Sequence, residues 1–373
     1  VNGALANHPV DDKAGVHRPA RRPIRLMIVD DSMVARAVLT RMIDVDAGFE
    51  IVGVAGTAED AILALGQIMV DIVLLDLEMP GVGGLKSIPR ILEAAKGAKV
   101  LIVSSLAEEG AEQTVAALAL GAADTLPKPG TGRFNGRFSE VLLGKLRELG
   151  YADRASAPVA SPNKPAGLRP PTQAPLRLLA VGASTGGIHA LGAFFAGLPP
   201  QIGVPILVTQ HLPPAFMPVF ARQLAAAAGR EALVAEDGMK LLPDRIVIAP
   251  GEAHLVVDEM NGQLIARLLK SRASSGCMPS VDPMLASAGA VIGPGAVGII
   301  LTGMGRDGTS GSTRLVEAGG MVMAQDEASS AVWGMPRAVA EAGLASAILP
   351  PAKLARRVAS LMTIDLSDGS TCK

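Results

Sequence analysis

Aromatic residues make up only 2% of this 373-residue chain, too few for the stacking platforms that hold single-stranded nucleic acid or sugar rings. Cysteine is nearly absent. Cys277 and Cys372 stand far apart, without redox or ligand-like spacing, so a reducing, cytoplasmic compartment is expected. No apolar run reaches the roughly 18 to 20 residues that a membrane span needs, because Gly, Pro or charge interrupts each one, and no membrane insertion is expected. Net charge is also missing. At −1 overall the chain makes no electrostatic bid for nucleic acid or anionic lipid. Residues 1–23 lack the apolar core of a signal peptide, and their Asn, His, Asp, Arg and Pro content predicts a disordered tail. What is present is 49% hydrophobic and 18% charged residues, a globular composition with length for two domains.

A Pro-, Ala- and Ser-rich stretch, Ala155 to Pro175, separates two halves. Repeated prolines forbid helix and central strand, so residues 150–175 are predicted to be an extended linker. It would join one domain at 24–149 to another at 176–365.

The first half alternates apolar strands with helical periods. Strands are predicted at Ile24–Val29, Glu50–Ala55, Ile72–Leu75, Val100–Val103 and Ala123–Leu126, each followed by a helix, and Ser32 is placed to cap the first. Five such units imply a doubly wound parallel sheet, whose ligands gather at the carboxyl ends of the strands. Asp30 and Asp31 end the first strand, Asp76 the third and Ser104 the fourth, and Lys128 follows the fifth. Three carboxylates converging there repel one another unless a hard cation binds among them. Oxygen ligands favour Mg²⁺.

The second half resumes the same alternation. It carries Val181-Gly182-Ala183-Ser184-Thr185-Gly186-Gly187, in which an apolar run turns into a helical pattern. A G-x-S-x-G turn of this kind lifts the serine hydroxyl clear and aims main-chain N–H groups at what it attacks. Such a nucleophile needs a base and an orienting carboxylate. His211 ends the second strand of this half and is favoured over His189, on the next helix, and His254, before a hairpin strand. Asp307 lies in the glycine-rich turn after a buried strand and is favoured over Asp282 and Asp326. The chain order Ser184, His211, Asp307 differs from the Ser, acid, His order of α/β-hydrolases and excludes that fold. Asn261-Gly262 predicts a β-hairpin on the flank. Cys277 has no nearby histidine in this reading and is taken as a packing or loop residue.

The first half closely resembles the receiver domain of response regulators, through "MIVDDS", "IVLLDLEMPG", "LIVSS" and "LPKPG". The resemblance implies a flavodoxin-like fold. Asp76 would accept a phosphoryl group from a histidine kinase, Asp30 and Asp31 would help Asp76 hold Mg²⁺, and Ser104 and Lys128 would bind the phosphoryl group. Gly83-Gly84 stands where such domains usually carry Asp-Gly. The second half closely resembles the catalytic domain of chemotaxis protein-glutamate methylesterases, through "VGASTGG", "TQHLPPAF", "IAPGEAHL", "PSVDPML", "ILTGMGRDG" and "GMPRAV". That implies a Rossmann-like α/β/α hydrolase without a cofactor of its own, and Ser184, His211 and Asp307 as its triad. Met304 and Thr185 would lie at the oxyanion site. The substrates would be methylated glutamates of chemotaxis receptors, with receptor glutamines as a second class. The run Ser274 to Met278 departs from the family's Arg- and His-containing pattern. Two other readings remain open here: a phosphorylation-controlled binding regulator without enzymatic activity, and an esterase for a small ester.

Overall fold

The computed structural model describes residues 22–104, 108–128, 136–152 and 167–362, with Ser104, Glu108, Glu109, Arg137 and Ala152 described by their main chain alone. The tail expected at 1–23 therefore lies almost wholly outside the described residues, as do residues 153–166 of the expected linker.

The first domain contains β1 (Ile24–Val29), α1 (Met33–Ile43), β2 (Phe49–Ala55), α2 (Ala58–Leu65) and β3 (Ile72–Leu75). It continues through α3 (Gly84–Ala94), β4 (Lys99–Ser104), α4 (Glu108–Ala119), β5 (Asp124–Pro127) and α5 (Gly136–Ala152). Its five strands pair in parallel in the order β2-β1-β3-β4-β5. β1 and β3 are apolar on both faces because helices cover both, so neither shows an alternating pattern. Ser32 caps α1, its hydroxyl accepting from the Ala35 N–H at 3.2 Å. The Gly83-Gly84 departure has a visible consequence. α3 starts with no side-chain cap, Gly83 taking a φ of +78°. A Cβ on Gly84 would stand 2.2 Å from the carbonyl oxygen of Asp76, so only glycine lets the helix start so close to that main chain.

The second domain runs β6 (Leu178–Ala183), α6 (Gly187–Ala196), β7 (Ile206–Gln210), α7 (Met217–Ala228), β8 (Ala232–Val234) and β9 (Ile246–Ile248). It goes on through β10 (His254–Met260), β11 (Gln263–Leu269), α8 (Val281–Ile292), β12 (Ala296–Ile300), α9 (Thr309–Glu317), β13 (Met321–Gln325), α10 (Met335–Glu341), β14 (Ala345–Leu349) and α11 (Pro351–Met362). Seven parallel strands lie in the order β14-β13-β12-β6-β7-β9-β8, and β10 and β11 pair separately as the antiparallel hairpin around Asn261-Gly262. From β6 the chain winds outward through β7 to one edge, then returns to β12 and winds to the other. The boundary between β6 and β12 is the switch point of the sheet, where a crevice opens beyond the strand ends.

The few aromatic residues are core residues. Phe194, Phe195, Phe216 and Phe220 are almost fully buried, with Phe194 and Phe195 meeting edge to face at 5.4 Å. They join Leu354, Val358 and Leu361 of α11 in one apolar layer beneath the sheet. Residues 167–177 lie against the seven-stranded sheet, where Arg169 N–H donates to the Ala345 carbonyl.

Candidate active site

β6, β7 and β12 are neighbours, and the loops at their carboxyl ends carry Ser184, His211 and the Asp307 turn. The serine turn depends on Gly186. Its φ is +74°, and an added Cβ would stand 2.4 Å from that of Ala331. Only glycine meets both demands. The His211 N–H donates to the Ala183 carbonyl at 3.2 Å, holding the end of β7 against the serine turn.

Ser184, His211 and Asp307 form a continuous relay. His211 Nδ1 lies 3.1 Å from Ser184 Oγ, and His211 Nε2 lies 2.8 Å from Asp307 Oδ2. A carboxylate only accepts, so it selects the tautomer with hydrogen on Nε2 and leaves the Nδ1 lone pair facing the serine hydroxyl. Burial opposes the charge of Asp307, yet its pKa is held well below the usual carboxylate range. Among the causes that lower it, the hydrogen bond and charge of His211 come first, followed by the Ser280 hydroxyl at 2.6 Å and the Val281 N–H at 2.7 Å. Those last two donors sit at the start of α8, whose dipole also favours an anion.

The relay has a further layer that strand-end reasoning misses. Ser280 caps α8 and donates its N–H to Nδ1 of the fully buried His254, whose Nε2 faces the Ser271 carbonyl. Asp307 is thus oriented by a serine that a second histidine positions. Gln210 and Thr302 hold the serine turn itself: Gln210 Nε2 donates to the Ser184 carbonyl and Thr302 Oγ1 to the Thr185 carbonyl. Nothing in the local sequence marks these residues, since each acts across tens of positions. Of the alternatives weighed from sequence, Asp282 lies in the first turn of α8 and accepts from Gly311 N–H, and Asp326 accepts from Ser329 in a surface turn.

Cys277 is a loop residue as expected, but the premise that no histidine lies near it needs correction. Its Sγ lies within 4.8 Å of ligand atoms of both His211 and Asp307, brought there by the loop before α8. It is no competing nucleophile, however: burial, then the charge of Asp307, push its thiol pKa up, and a protonated thiol is a poor nucleophile.

The two residues expected at the oxyanion site, Thr185 and Met304, lie next in sequence to Ser184 and to Gly303. Thr185 is buried, and Gly303 packs against Ser184. The Ser184 N–H is itself committed to the Thr302 carbonyl.

The first domain covers this site. Gly186 N–H, at the start of α6, donates to the Ala123 carbonyl at 2.7 Å, and Thr185 Oγ1 donates to Asp124 at 3.2 Å. His189 Nδ1 faces the Ala119 carbonyl and Arg222 pairs with Glu112. Leu118 and Ala122 close over Ser184, leaving about 10 Å³ of free space. Roomier cavities of about 500 Å³ open to either side of Met304 and Arg306.

At the other end of β5, Lys128 Nζ bonds Asp76 at 2.7 Å and Asp30 at 3.0 Å. Both carboxylates are buried, while Asp31 is exposed beside them, and oxygens of all three lie within 4.8 Å of one another. Burial raises the pKa of Asp76, and Lys128 opposes that rise. Three crowded oxygen donors with one lysine fit a small hard cation. The Ser104 side chain lies outside the described residues.

Comparison with known proteins places both halves in known families. The CheB methylesterase model matches residues 179–358 and the response regulator receiver domain model residues 26–133. A protein-glutamate methylesterase/protein-glutamine glutaminase from Paramagnetospirillum magneticum is 40% identical over 367 residues, covering 90% of this chain and 96% of that one. The chain belongs to the CheB family. A second CheB relative, from Caulobacter vibrioides and of the same description, is also 40% identical, with 90% and 98% covered. The crystal structure of the Thermotoga maritima CheB catalytic domain covers 50% of this chain and 100% of its own, at 35% identity and a TM-score of 0.49. Among the described residues no helix is long and apolar enough to cross a membrane.

Proposed function

We propose that the chain is a phosphorylation-activated serine hydrolase that removes methyl groups from glutamate esters on chemotaxis receptors, releasing methanol, and that also hydrolyses receptor glutamine amides. The observation that carries this reading is the unbroken relay from Ser184 Oγ through His211 to Asp307. It speaks against a purely non-enzymatic binding regulator, which has no use for such an arrangement.

In this mechanism His211 Nδ1 takes the proton of Ser184 as Oγ attacks the ester carbonyl. Asp307 holds the Nε2 hydrogen and stabilises the imidazolium that forms. The developing oxyanion is met by main-chain N–H groups of Thr185 and Met304. Methanol leaves with the proton from His211, and a water activated by the same Nδ1 hydrolyses the acyl-serine. With an amide, ammonia takes the place of methanol.

In the receiver, Asp76 is the phosphoacceptor, with a histidine kinase as donor. Mg²⁺ would be held by Asp30, Asp31 and Asp76 and would neutralise charge on the transferring phosphoryl group. Lys128 already touches the acceptor carboxylate, and Ser104 is assigned the phosphoryl oxygen. The enzyme would work in the cytoplasm, on the receptor segments that reach it.

Methanol release from methyl-labelled receptor membranes tests the reading. The full chain with a phosphodonor should release label, and Ser184→Ala should not. Activity on small esters with none on receptor membranes would refute the receptor assignment.

A further inference from the structure

We propose that the triad of this protein doubles as an inhibitory site for borderline-soft divalent cations such as Zn²⁺, with Cys277, His211 and Asp307 as ligands. The nitrogen, sulfur and oxygen donors lie within 4.8 Å of one another. In a tetrahedral zinc site, metal–ligand distances of about 2.0 to 2.3 Å separate such donors by roughly 3.5 Å. The His211–Asp307 pair, now 2.8 Å apart, must open by roughly 0.7 Å and the sulfur must close by about 1 Å. Cys277 is half-buried between the exposed Gly276 and Met278, in a loop where such side-chain shifts are small. A thiolate, an imidazole and a carboxylate together suit zinc far better than magnesium. Beyond them lies the cavity of about 500 Å³ lined by Cys277, Asp282, Arg306 and Asp307, which gives a cation entry and room for a water as fourth ligand. Asp282 adds a second carboxylate to that lining, and Arg306 a positive charge.

The consequence for catalysis follows from the tautomer. His211 now carries its hydrogen on Nε2, toward Asp307, and accepts at Nδ1. A cation binding at Nε2 moves that hydrogen to Nδ1, and the Cys277 thiol releases one proton to solvent as sulfur binds. The nitrogen facing Ser184 is then a donor and cannot take the serine proton. Inhibition therefore rests on the proposed catalytic role of His211, whereas binding does not. Because Cys277 lies in the run that departs from the family pattern, the sensitivity belongs to this chain's own residues.

The test uses the full chain with saturating Mg²⁺, so that the receiver carboxylates are occupied by the hard cation, and Co²⁺ as a spectroscopic stand-in for zinc. One Co²⁺ per chain should bind with a thiolate-to-cobalt charge-transfer band and the visible bands of tetrahedral coordination, and Zn²⁺ should abolish both. The band should vanish in Cys277→Ser and persist in Cys372→Ser and Ser184→Ala. Zn²⁺ should lower methanol release at least tenfold in the unmutated chain, while Cys277→Ser keeps the basal rate and resists the metal. Absence of the band, or its survival in Cys277→Ser, would overturn the proposal. A normal band in a chain that never releases methanol would instead sink the methylesterase reading and leave the metal site standing.

Discussion

At the scale of single residues, the relay makes strong and unequal demands on its members. Replacing Ser184 or His211 by Ala should lower methanol release on the order of a millionfold, and Asp307→Asn on the order of ten-thousandfold, because the members act as a unit in which the carboxylate only orients and stabilises. Steady-state release from methylated receptor membranes checks the order of these losses. Asp307 also ties stability to pH. Its folded pKa lies below the unfolded value, so its contribution is fully present above the unfolded pKa of about 3.9 and is lost as pH falls toward the folded value. The gap in thermal midpoint between the unmutated chain and Asp307→Asn should therefore hold from neutral pH to about 5 and narrow below about 4. A gap that widened on acidification would contradict the ionised, hydrogen-bonded carboxylate. Ser184, His211 and Asp307 were legible in the sequence because each follows an apolar strand. Ser280 and His254 were not, since their link to Asp307 exists only across the fold. The neighbourhood of Cys277 was missed for the same reason: its histidine is 66 positions away in sequence, as the numbers 211 and 277 show, and neighbouring in space.

At the scale of elements, the strands that lead to the site were the readable ones. β6, β7 and β12 are continuous apolar runs, each ending in a distinctive polar or glycine-rich turn. The later elements gave no such signal. β8 has three residues, β14 is Ala-Ser-Ala-Ile-Leu with one β-branched residue, and α9 opens on Thr-Ser-Gly-Ser-Thr, which are weak helix formers. The two strands take their form from the sheet whose edges they complete, β8 pairing with β9 and β14 with β13. Two substitutions test how far packing and turn geometry hold the elements in place. Phe194→Ala empties a fully buried aromatic position beneath β6 and should cost about 3 to 5 kcal/mol of stability. Gly186→Ala forces a side chain into a left-handed conformation against Ala331 and should cost about 1 to 3 kcal/mol. It should also lower turnover, because the Ser184 turn must shift. Calorimetric midpoints alongside turnover distinguish the two, since Phe194→Ala should weaken the domain with far less effect on rate at low temperature.

At the scale of the whole molecule, one short strand joins the two sites. Lys128, just beyond the carboxyl end of β5, grips Asp76 and Asp30. Ala123 and Asp124, at its amino end, bond to Gly186 and Thr185 beside the nucleophile. A charge change at Asp76 can therefore bias whether the receiver stays seated on Ser184, by shifting an equilibrium between closed and open arrangements. The apolar contacts of Leu118 and Ala122 over Ser184 favour the closed one. A fragment beginning near Leu176 lacks that cover and should outpace the unphosphorylated full chain on receptor membranes. The most direct measurement is the rate of methanol release by the full chain before and after a small phosphodonor with Mg²⁺, with Asp76→Asn run in parallel. The rate should rise on phosphorylation in the unmutated chain and stay at its basal level in Asp76→Asn. Equal rates with and without the phosphodonor in the unmutated chain, or activation that survives in Asp76→Asn, would contradict control of Ser184 from Asp76.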